Sequence, residues 1–149
     1  MKKIIKNGFY ILLPIILGSL IGLFTSNFSD YTTLIKPPVS PPKILFPIVW
    51  SIIYLLMGIA YFIYKNNNNK ETNYIYYIQL AVNLLWSIIF FVLKWKFISV
   101  LWIILLDILI ILTMKTFKRT SKISYYLFIP YLIWCLFATY LTIGIYILN

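Results

Sequence analysis

Five long apolar stretches, separated by short polar or proline-rich breaks, constrain this chain more than any other feature. They cover residues 8–25, 45–64, 74–93, 97–114 and 123–148. A helix needs about 20 apolar residues to cross the hydrocarbon core of a bilayer, and backbone in that core must satisfy its hydrogen bonds internally. The pattern therefore predicts an all-α fold, with residues 1–149 forming a single polytopic domain, a bundle of five transmembrane helices in the lipid bilayer.

The composition excludes a soluble domain and most catalytic chemistry. Apolar and aromatic residues make up 62% of the chain and charged residues 11%, whereas roughly a quarter of a soluble domain is charged. Histidine is absent and Cys135 is the only cysteine, which excludes an intrachain disulfide, Cys/His metal sites and His-dependent nucleophiles. The carboxylates Asp30, Glu71 and Asp107 lie far apart in sequence. We therefore expect no metal site and no acid/base pair.

The net charge of +10 indicates topology, not a nucleic-acid partner. Nucleic-acid-binding proteins cluster their basic residues on a solvated face, whereas these lie between the apolar stretches. One side of the membrane would carry Lys2, Lys3, Lys6, Lys65, Lys70, Lys115, Lys118, Arg119 and Lys122, and the other Lys36, Lys43, Lys94 and Lys96. The positive-inside rule then places the N-terminus in the cytoplasm and the C-terminus outside. We expect a bacterial plasma membrane, with the first stretch kept as an uncleaved helix.

Aromatic and polar side chains recur at helical spacing in three of the predicted helices. They are Trp50 and Tyr54 in the second, Gln79, Asn83, Trp86 and Ser87 in the third, and Trp134 and Ala138 in the fifth. Steps of three and four place each set on one helix face. Three converging faces would enclose a cavity suited to a large, flat, mostly apolar ligand. The same spacing is also typical of tryptophans that only pack and amides that only bond neighbouring helices.

Three single features also bear on the bundle. Asp107 lies within the fourth stretch, where an acid is either functional or held by a partner such as Asn83. Gly18 and Gly22 have the GxxxG spacing, which suits packing within the bundle or a homodimer seam. Pro130 removes a backbone donor and predicts a bend in the fifth helix.

The loop between the first two helices predicts a stiff lid. Prolines fix an extended backbone that has no donors, and the lid residues are Lys36, Pro37, Pro41 and Pro42. Because the loop is short and tethered at both ends, we expect it to lie over the mouth of the cavity. Recognition by a partner as a polyproline segment is the alternative.

Taken in order, the motifs resemble a known family. They are Lys36-Pro37-x-x-x-Pro41-Pro42, Pro47-x-x-Trp50-x-x-x-Tyr54, Gln79-x-x-x-Asn83-x-x-Trp86 and Pro130-Tyr131-x-x-Trp134-x-x-Phe137-Ala138. From the first loop to the last helix, this series resembles the translocator protein family, also called tryptophan-rich sensory proteins. The chain departs from the family pattern at Val39, where Trp is usual, and at Thr142, where Asn is frequent.

The resemblance implies a five-helix bundle, often dimeric, that binds porphyrins and other hydrophobic ligands under the first loop. A porphyrin would be a ligand, and no cofactor is required. The implied pocket residues are Trp50, Tyr54, Asn83, Trp86, Trp134 and Ala138, with Tyr31 and Gln79 at the polar margins.

Three functions are compatible with this resemblance. We predict a receptor or sensor whose interaction with a partner changes when a porphyrin binds. A light-dependent porphyrin-degrading enzyme is the first alternative, in which Trp50 and Trp134 would exchange electrons with the excited macrocycle, since the chain has no conventional catalytic residues. Tetrapyrrole transport is the second alternative, with Asp107 as the only embedded acid.

Overall fold

The computed structural model describes residues 2–67 and 73–149, and these residues are almost entirely helical. The helices are α1 (Lys2–Ser26), α2 (Leu45–Asn67), α3 (Tyr74–Ser87), α4 (Lys96–Thr120), α5 (Lys122–Leu127) and α6 (Ile129–Leu148). A 3-10 turn forms at Tyr31–Thr33, and a π-helical turn, Ile88–Leu93, continues α3. Lys70, Glu71 and the end of the asparagine run lie outside the described residues.

Five of the described helical segments are long and apolar enough to cross a membrane. The prediction of an all-α membrane bundle with five spans is confirmed. The bounds differ most at α1, which begins at Lys2 instead of near residue 8, and at α4, which continues to Thr120 instead of ending near residue 114. Lys118 and Arg119 favour this extension because they are good helix formers and place positive charge at the helix C-terminus.

The fifth span consists of two helices, α5 and α6, that meet at Phe128. Pro130 lies in the first turn of α6, where its missing N–H is tolerated. The Phe128 N–H donates to the Tyr125 carbonyl over 3.2 Å, and the Leu132 N–H donates to the Phe128 carbonyl over 2.9 Å. The bend predicted at Pro130 is thus a break in the helix that begins two residues earlier.

Close backbone approach fastens α1 to α2. A Cβ added at Gly58 of α2 would lie 2.4 Å from the Ile11 carbonyl oxygen of α1. Nearer the lid, a Cβ at Gly18 would lie 2.4 Å from the Tyr54 ring. The GxxxG spacing suits either packing within the bundle or a homodimer seam, and the structure shows that Gly18 packs within the bundle. Gly22 differs, because its added Cβ would meet no atom within 4 Å.

An aromatic cluster fills the end of the bundle opposite the first loop. Tyr61 of α2 stacks on Tyr76 of α3 with ring centroids 4.1 Å apart and planes 5° apart. Tyr10 of α1 meets Tyr61 edge-on at 5.1 Å, and Phe117 of α4 lies near Tyr76 at 6.2 Å. This end is packed solid, so the space for a ligand lies at the end beneath the loop.

Replacing Gly58 with alanine should lower the free energy of unfolding by about 1–3 kcal/mol, since overpacking against backbone forces α1 to shift. Thermal unfolding of the purified protein in detergent, followed by circular dichroism, measures this loss. Gly8→Ala is the control, because its Cβ would meet nothing within 4 Å. Equal unfolding temperatures for the two variants would show that the α1–α2 contact is not tight at Gly58.

Candidate functional site

A cavity of about 800 Å³ lies between α1 and the facing parts of α2 and α3, under the first loop. Its volume is within the range of about 300–1,000 Å³ that ligand sites occupy. Four of the predicted site residues line it, namely Tyr31, Trp50, Tyr54 and Trp86. The cavity thus lies where the resemblance implies a pocket, and aromatic rings from the loop and from two helices form much of its wall.

Trp50 holds the central place among these rings. It stacks on Tyr54 with ring centroids 5.6 Å apart, and it meets Trp134 edge-on at 6.4 Å and Tyr131 edge-on at 6.5 Å. Its side chain is only half-buried. Three neighbours therefore fix the orientation of the indole while part of its surface stays open to the cavity.

The two predicted amides are buried in a hydrogen-bond network instead of lining the cavity. The Tyr54 hydroxyl donates to Asn83 Oδ1 over 2.7 Å, and Asn83 Nδ2 donates to the Tyr131 hydroxyl over 2.7 Å. The Tyr131 hydroxyl donates in turn to Gln79 Oε1 over 2.8 Å. Gln79 is 0% exposed and Asn83 1% exposed. These amides bond α2, α3 and α6 to one another, which is the interhelical role that amides at this spacing have as an alternative to ligand binding.

The α6 residues of the predicted site also lie behind the cavity wall. Trp134 packs edge-on against Phe46 at 6.0 Å, and its indole N–H is buried without an acceptor among the described residues. Ala138 is buried in an apolar cluster that includes Tyr31 and Trp86. The structure therefore brings the predicted face of α2 and the end of the α3 face at Trp86 to the cavity, whereas the α6 face lies behind them and supports them.

Helix α1 contributes to the site in a way that the sequence pattern does not predict. One face of this helix lines the cavity with Gly18, Ser19, Gly22, Thr25 and Ser26. The signal was present as small and hydroxyl-bearing residues at helical spacing in an otherwise bulky apolar helix. The GxxxG spacing predicts that Gly18 and Gly22 pack within the bundle or at a homodimer seam, whereas Gly22 faces open space in the cavity.

The third span adds two more residues to the cavity, of which Ser87 belongs to the predicted face of this span and Phe91 does not. Ser87, at the end of α3, and Phe91, in the π-helical turn, both line the cavity. The π-helical turn changes the helical register just beyond Trp86, and Phe91 meets Trp86 edge-on at 6.0 Å. A regular helical repeat does not predict that placement.

The predicted lid is firmly held. Lys36 Nζ donates to the carbonyls of Tyr31 and Leu34 over 3.0 and 3.1 Å. The Tyr31 hydroxyl donates to the Pro41 carbonyl over 2.7 Å, and burial raises the pKa of this phenol above 10.0, which keeps it a neutral donor. The Pro42 carbonyl accepts from the N–H of Leu45, where α2 begins.

The lid is also attached to the end of α6. Pro37 packs against Gly144, where an added Cβ would lie 2.5 Å from the proline ring. Asn149 donates to the Ile35 carbonyl over 2.8 Å and accepts from the Ile35 N–H over 3.2 Å. Because these contacts join loop and helix, the roof of the cavity depends on α6 although α6 does not line it.

Asp107 is held apart from the cavity. Its Oδ2 accepts a hydrogen bond from Thr139 of α6 over 2.5 Å, and its Oδ1 is buried without a partner in the described part of the chain. The residue that holds Asp107 is thus Thr139, not Asn83. Asp107 is not among the residues that line the cavity.

The two departures from the family pattern have separate structural outcomes. Val39 is 81% exposed and has a φ of 60°, a left-handed conformation that is rare for a β-branched residue. Thr142 is buried and donates to the Ala138 carbonyl of its own helix over 2.7 Å. Neither side chain lines the cavity.

Comparison with known proteins matches the chain to one family along nearly its whole length. The sequence profile of the TspO/MBR family matches residues 10–148. A tryptophan-rich protein TspO of Chlorobaculum tepidum is 42% identical over 80% of this chain and 78% of its own length. Another, of Archaeoglobus fulgidus, is 37% identical over 99% of both chains, and a tryptophan-rich sensory protein of Cereibacter sphaeroides is 32% identical over 73% of this chain and 70% of its own.

Asn83→Leu should lower the free energy of unfolding by about 1–2 kcal/mol, because the buried Tyr54 hydroxyl then loses its acceptor. Adding Tyr54→Phe removes the orphaned hydroxyl and should recover part of the loss. Chemical unfolding in detergent measures both steps. The control is Thr142→Val, which removes a hydroxyl that bonds only within its own helix. A loss no larger than that of the control would contradict the role assigned to the network.

Proposed function

The chain belongs to the TspO/MBR family, and from this premise we propose that it is a membrane receptor or sensor that binds porphyrins and similar flat hydrophobic ligands. The observation that carries the proposal is the cavity under the first loop, with Trp50 half-buried in its wall. A cavity of this size with mostly apolar walls and few polar groups suits a ligand of that kind.

Stacking and burial would supply the affinity. Trp50 and Trp86 offer indole rings to a flat ligand, and Phe46 and Phe91 add apolar surface. Because Tyr54 and Trp134 already fix the Trp50 ring, little side-chain entropy is lost when a ligand binds, which favours tight binding.

Contacts between the lid and α6 support a sensing role. A ligand that fills the cavity touches Tyr31, which bonds to Pro41 in the same loop that Asn149 holds to α6. Ligand binding can thereby bias the loop and the end of α6 together, which is the kind of differential contact that a sensor needs. One relative bears the name tryptophan-rich sensory protein.

The proposal includes a plasma membrane location with the N-terminus in the cytoplasm. Asp30 pairs with Lys94 at 3.8 Å, and Asn149 bonds to Ile35. The first loop, the short connection that precedes α4 and the end of α6 therefore lie at one end of the bundle. That end carries the smaller share of the basic residues in the sequence, so the positive-inside rule assigns it to the outside.

No observation favours transport, because Asp107 lies away from the cavity lining. Light-dependent breakdown of a bound porphyrin is favoured by one contact, the edge-on approach of Trp50 to Trp134 at 6.4 Å. A tryptophan in the cavity wall with a second indole behind it is suited to donate an electron to an excited ligand, because the second indole can then donate an electron to the first.

Trp50→Ala should weaken saturable binding of protoporphyrin in the dark by about tenfold or more, since a central aromatic contact is lost. Quenching of tryptophan fluorescence and the porphyrin absorption band measure the affinity. Trp95→Ala is the control, because Trp95 is 54% exposed and does not line the cavity. Equal affinities of the two variants, or binding that never saturates, would reject the proposed site.

Illumination of the same complexes separates the sensor from the enzyme. A sensor should lose porphyrin in light at the same rate in the wild-type protein as in Trp50→Phe and Trp134→Phe. A slower loss in both variants would favour the light-dependent reaction instead.

A reporter that is active only outside the cytoplasm, fused after Asn149, should be active in cells. The physical reason is the excess of Lys and Arg at the opposite end of the bundle. A matched fusion of the reporter at the N-terminus is the control and should be inactive. The reverse pattern would overturn the proposed orientation.

A further inference from the structure

One charged side chain, that of Lys43, lines the cavity. We propose that the natural ligand carries an anionic group, of the carboxylate type, that pairs with the Lys43 ammonium while its apolar body lies against Trp50. This inference rests on the proposed function of the same cavity, and it adds the chemical class of the ligand and a residue that selects for it.

The two lysines of the first loop have different surroundings. Lys36 is occupied, because its ammonium donates to two backbone carbonyls and lies 4.9 Å from the centre of the Tyr31 ring. Lys43 is exposed, and its ammonium has no hydrogen bond or ion pair with the described residues. Lys36 therefore stabilises the lid, whereas the charge of Lys43 is available to a ligand.

Neither acidic residue in the described part of the chain neutralises Lys43. Asp30, the acid of the first loop, pairs with Lys94 at 3.8 Å and does not line the cavity. Asp107 bonds to Thr139 and does not line it either. The mouth of the cavity thus has a net positive charge, which attracts an anion and disfavours a cationic ligand.

Three hydroxyls of the cavity wall do not compete with Lys43 as donors, because their protons are already used. The hydroxyls of Thr25, Ser26 and Ser51 donate to carbonyls of their own helices over 3.3, 2.9 and 2.6 Å. The indole N–H of Trp86, a residue in the cavity wall, is buried and has no acceptor among the described residues. Of these donors, the exposed ammonium of Lys43 is the one that a bound acceptor reaches.

The experiment compares protoporphyrin, which carries two carboxylates, with its dimethyl ester, which carries none. Both are titrated in the dark into wild-type protein, Lys43→Gln, Lys43→Arg and Lys96→Gln. Lys43→Gln should bind the free acid about fivefold more weakly, as for a partly exposed ion pair, and the ester with unchanged affinity. Lys43→Arg keeps the charge and should bind the acid like wild type. Lys96 does not line the cavity, so Lys96→Gln should change neither affinity.

Salt gives a second readout. The affinity of the wild type for the free acid should fall as ionic strength rises, and this dependence should be weaker in Lys43→Gln. Ester binding should depend on salt in neither protein.

Two sets of binding results separate the Lys43 ion pair from the cavity site on which it depends. If acid and ester both saturate, both weaken in Trp50→Ala, and Lys43→Gln leaves both affinities unchanged or lowers both equally, the ion pair is rejected and the cavity site stands. If neither ligand saturates, or Trp50→Ala binds both as the wild type does, the proposed site and the ion pair are rejected together.

Discussion

The hydrocarbon interior of a bilayer offers no water to polar groups, and the bundle depends on how this chain meets that constraint. The chain of hydrogen bonds from Tyr54 through Asn83 and Tyr131 to Gln79 gives these two amides and two phenols, from α2, α3 and α6, their partners inside the protein. An unmet donor or acceptor at that depth is costly. The three helices are therefore held in one arrangement, and the Tyr54 and Trp50 rings form a fixed part of the cavity wall.

The position of the cavity follows from how α1 meets that wall. At one end, Gly58 brings the backbones of α1 and α2 together and the tyrosine cluster around Tyr61 fills the bundle. At the other end, small residues such as Gly22 leave α1 without side chains to fill the gap. The first loop closes this gap from above because Lys36 and Asn149 anchor it. The ligand site thus forms where α1 presents small residues to the bundle and where α6 anchors the loop that covers the space.

Much of the fold could be predicted, because span length and backbone satisfaction in lipid leave few alternatives. The candidate site could be predicted only in part. Helical spacing predicts that Gln79 and Asn83 share one face of α3. Spacing does not show whether that face meets a bound ligand or a phenol of a neighbouring helix. In the structure both amides form hydrogen bonds with the Tyr131 hydroxyl. Trp134 was expected in the wall and lies behind Trp50, since the rotation of α6 depends on tertiary packing. The sequence does not predict the place of Gly22 in the cavity, because a glycine is equally compatible with close helix contact and with empty space.

The central claim is that the space beside Gly22 is where the ligand binds, and filling that space tests it most directly. Protoporphyrin binding in the dark should be measured for Gly22→Trp, with Gly8→Trp as the control at a site outside the cavity. Loss of saturable binding in Gly22→Trp, at an unfolding temperature equal to that of the control, is the predicted result. Saturable binding with wild-type affinity in Gly22→Trp would contradict the account, because the ligand would then bind elsewhere on the bundle.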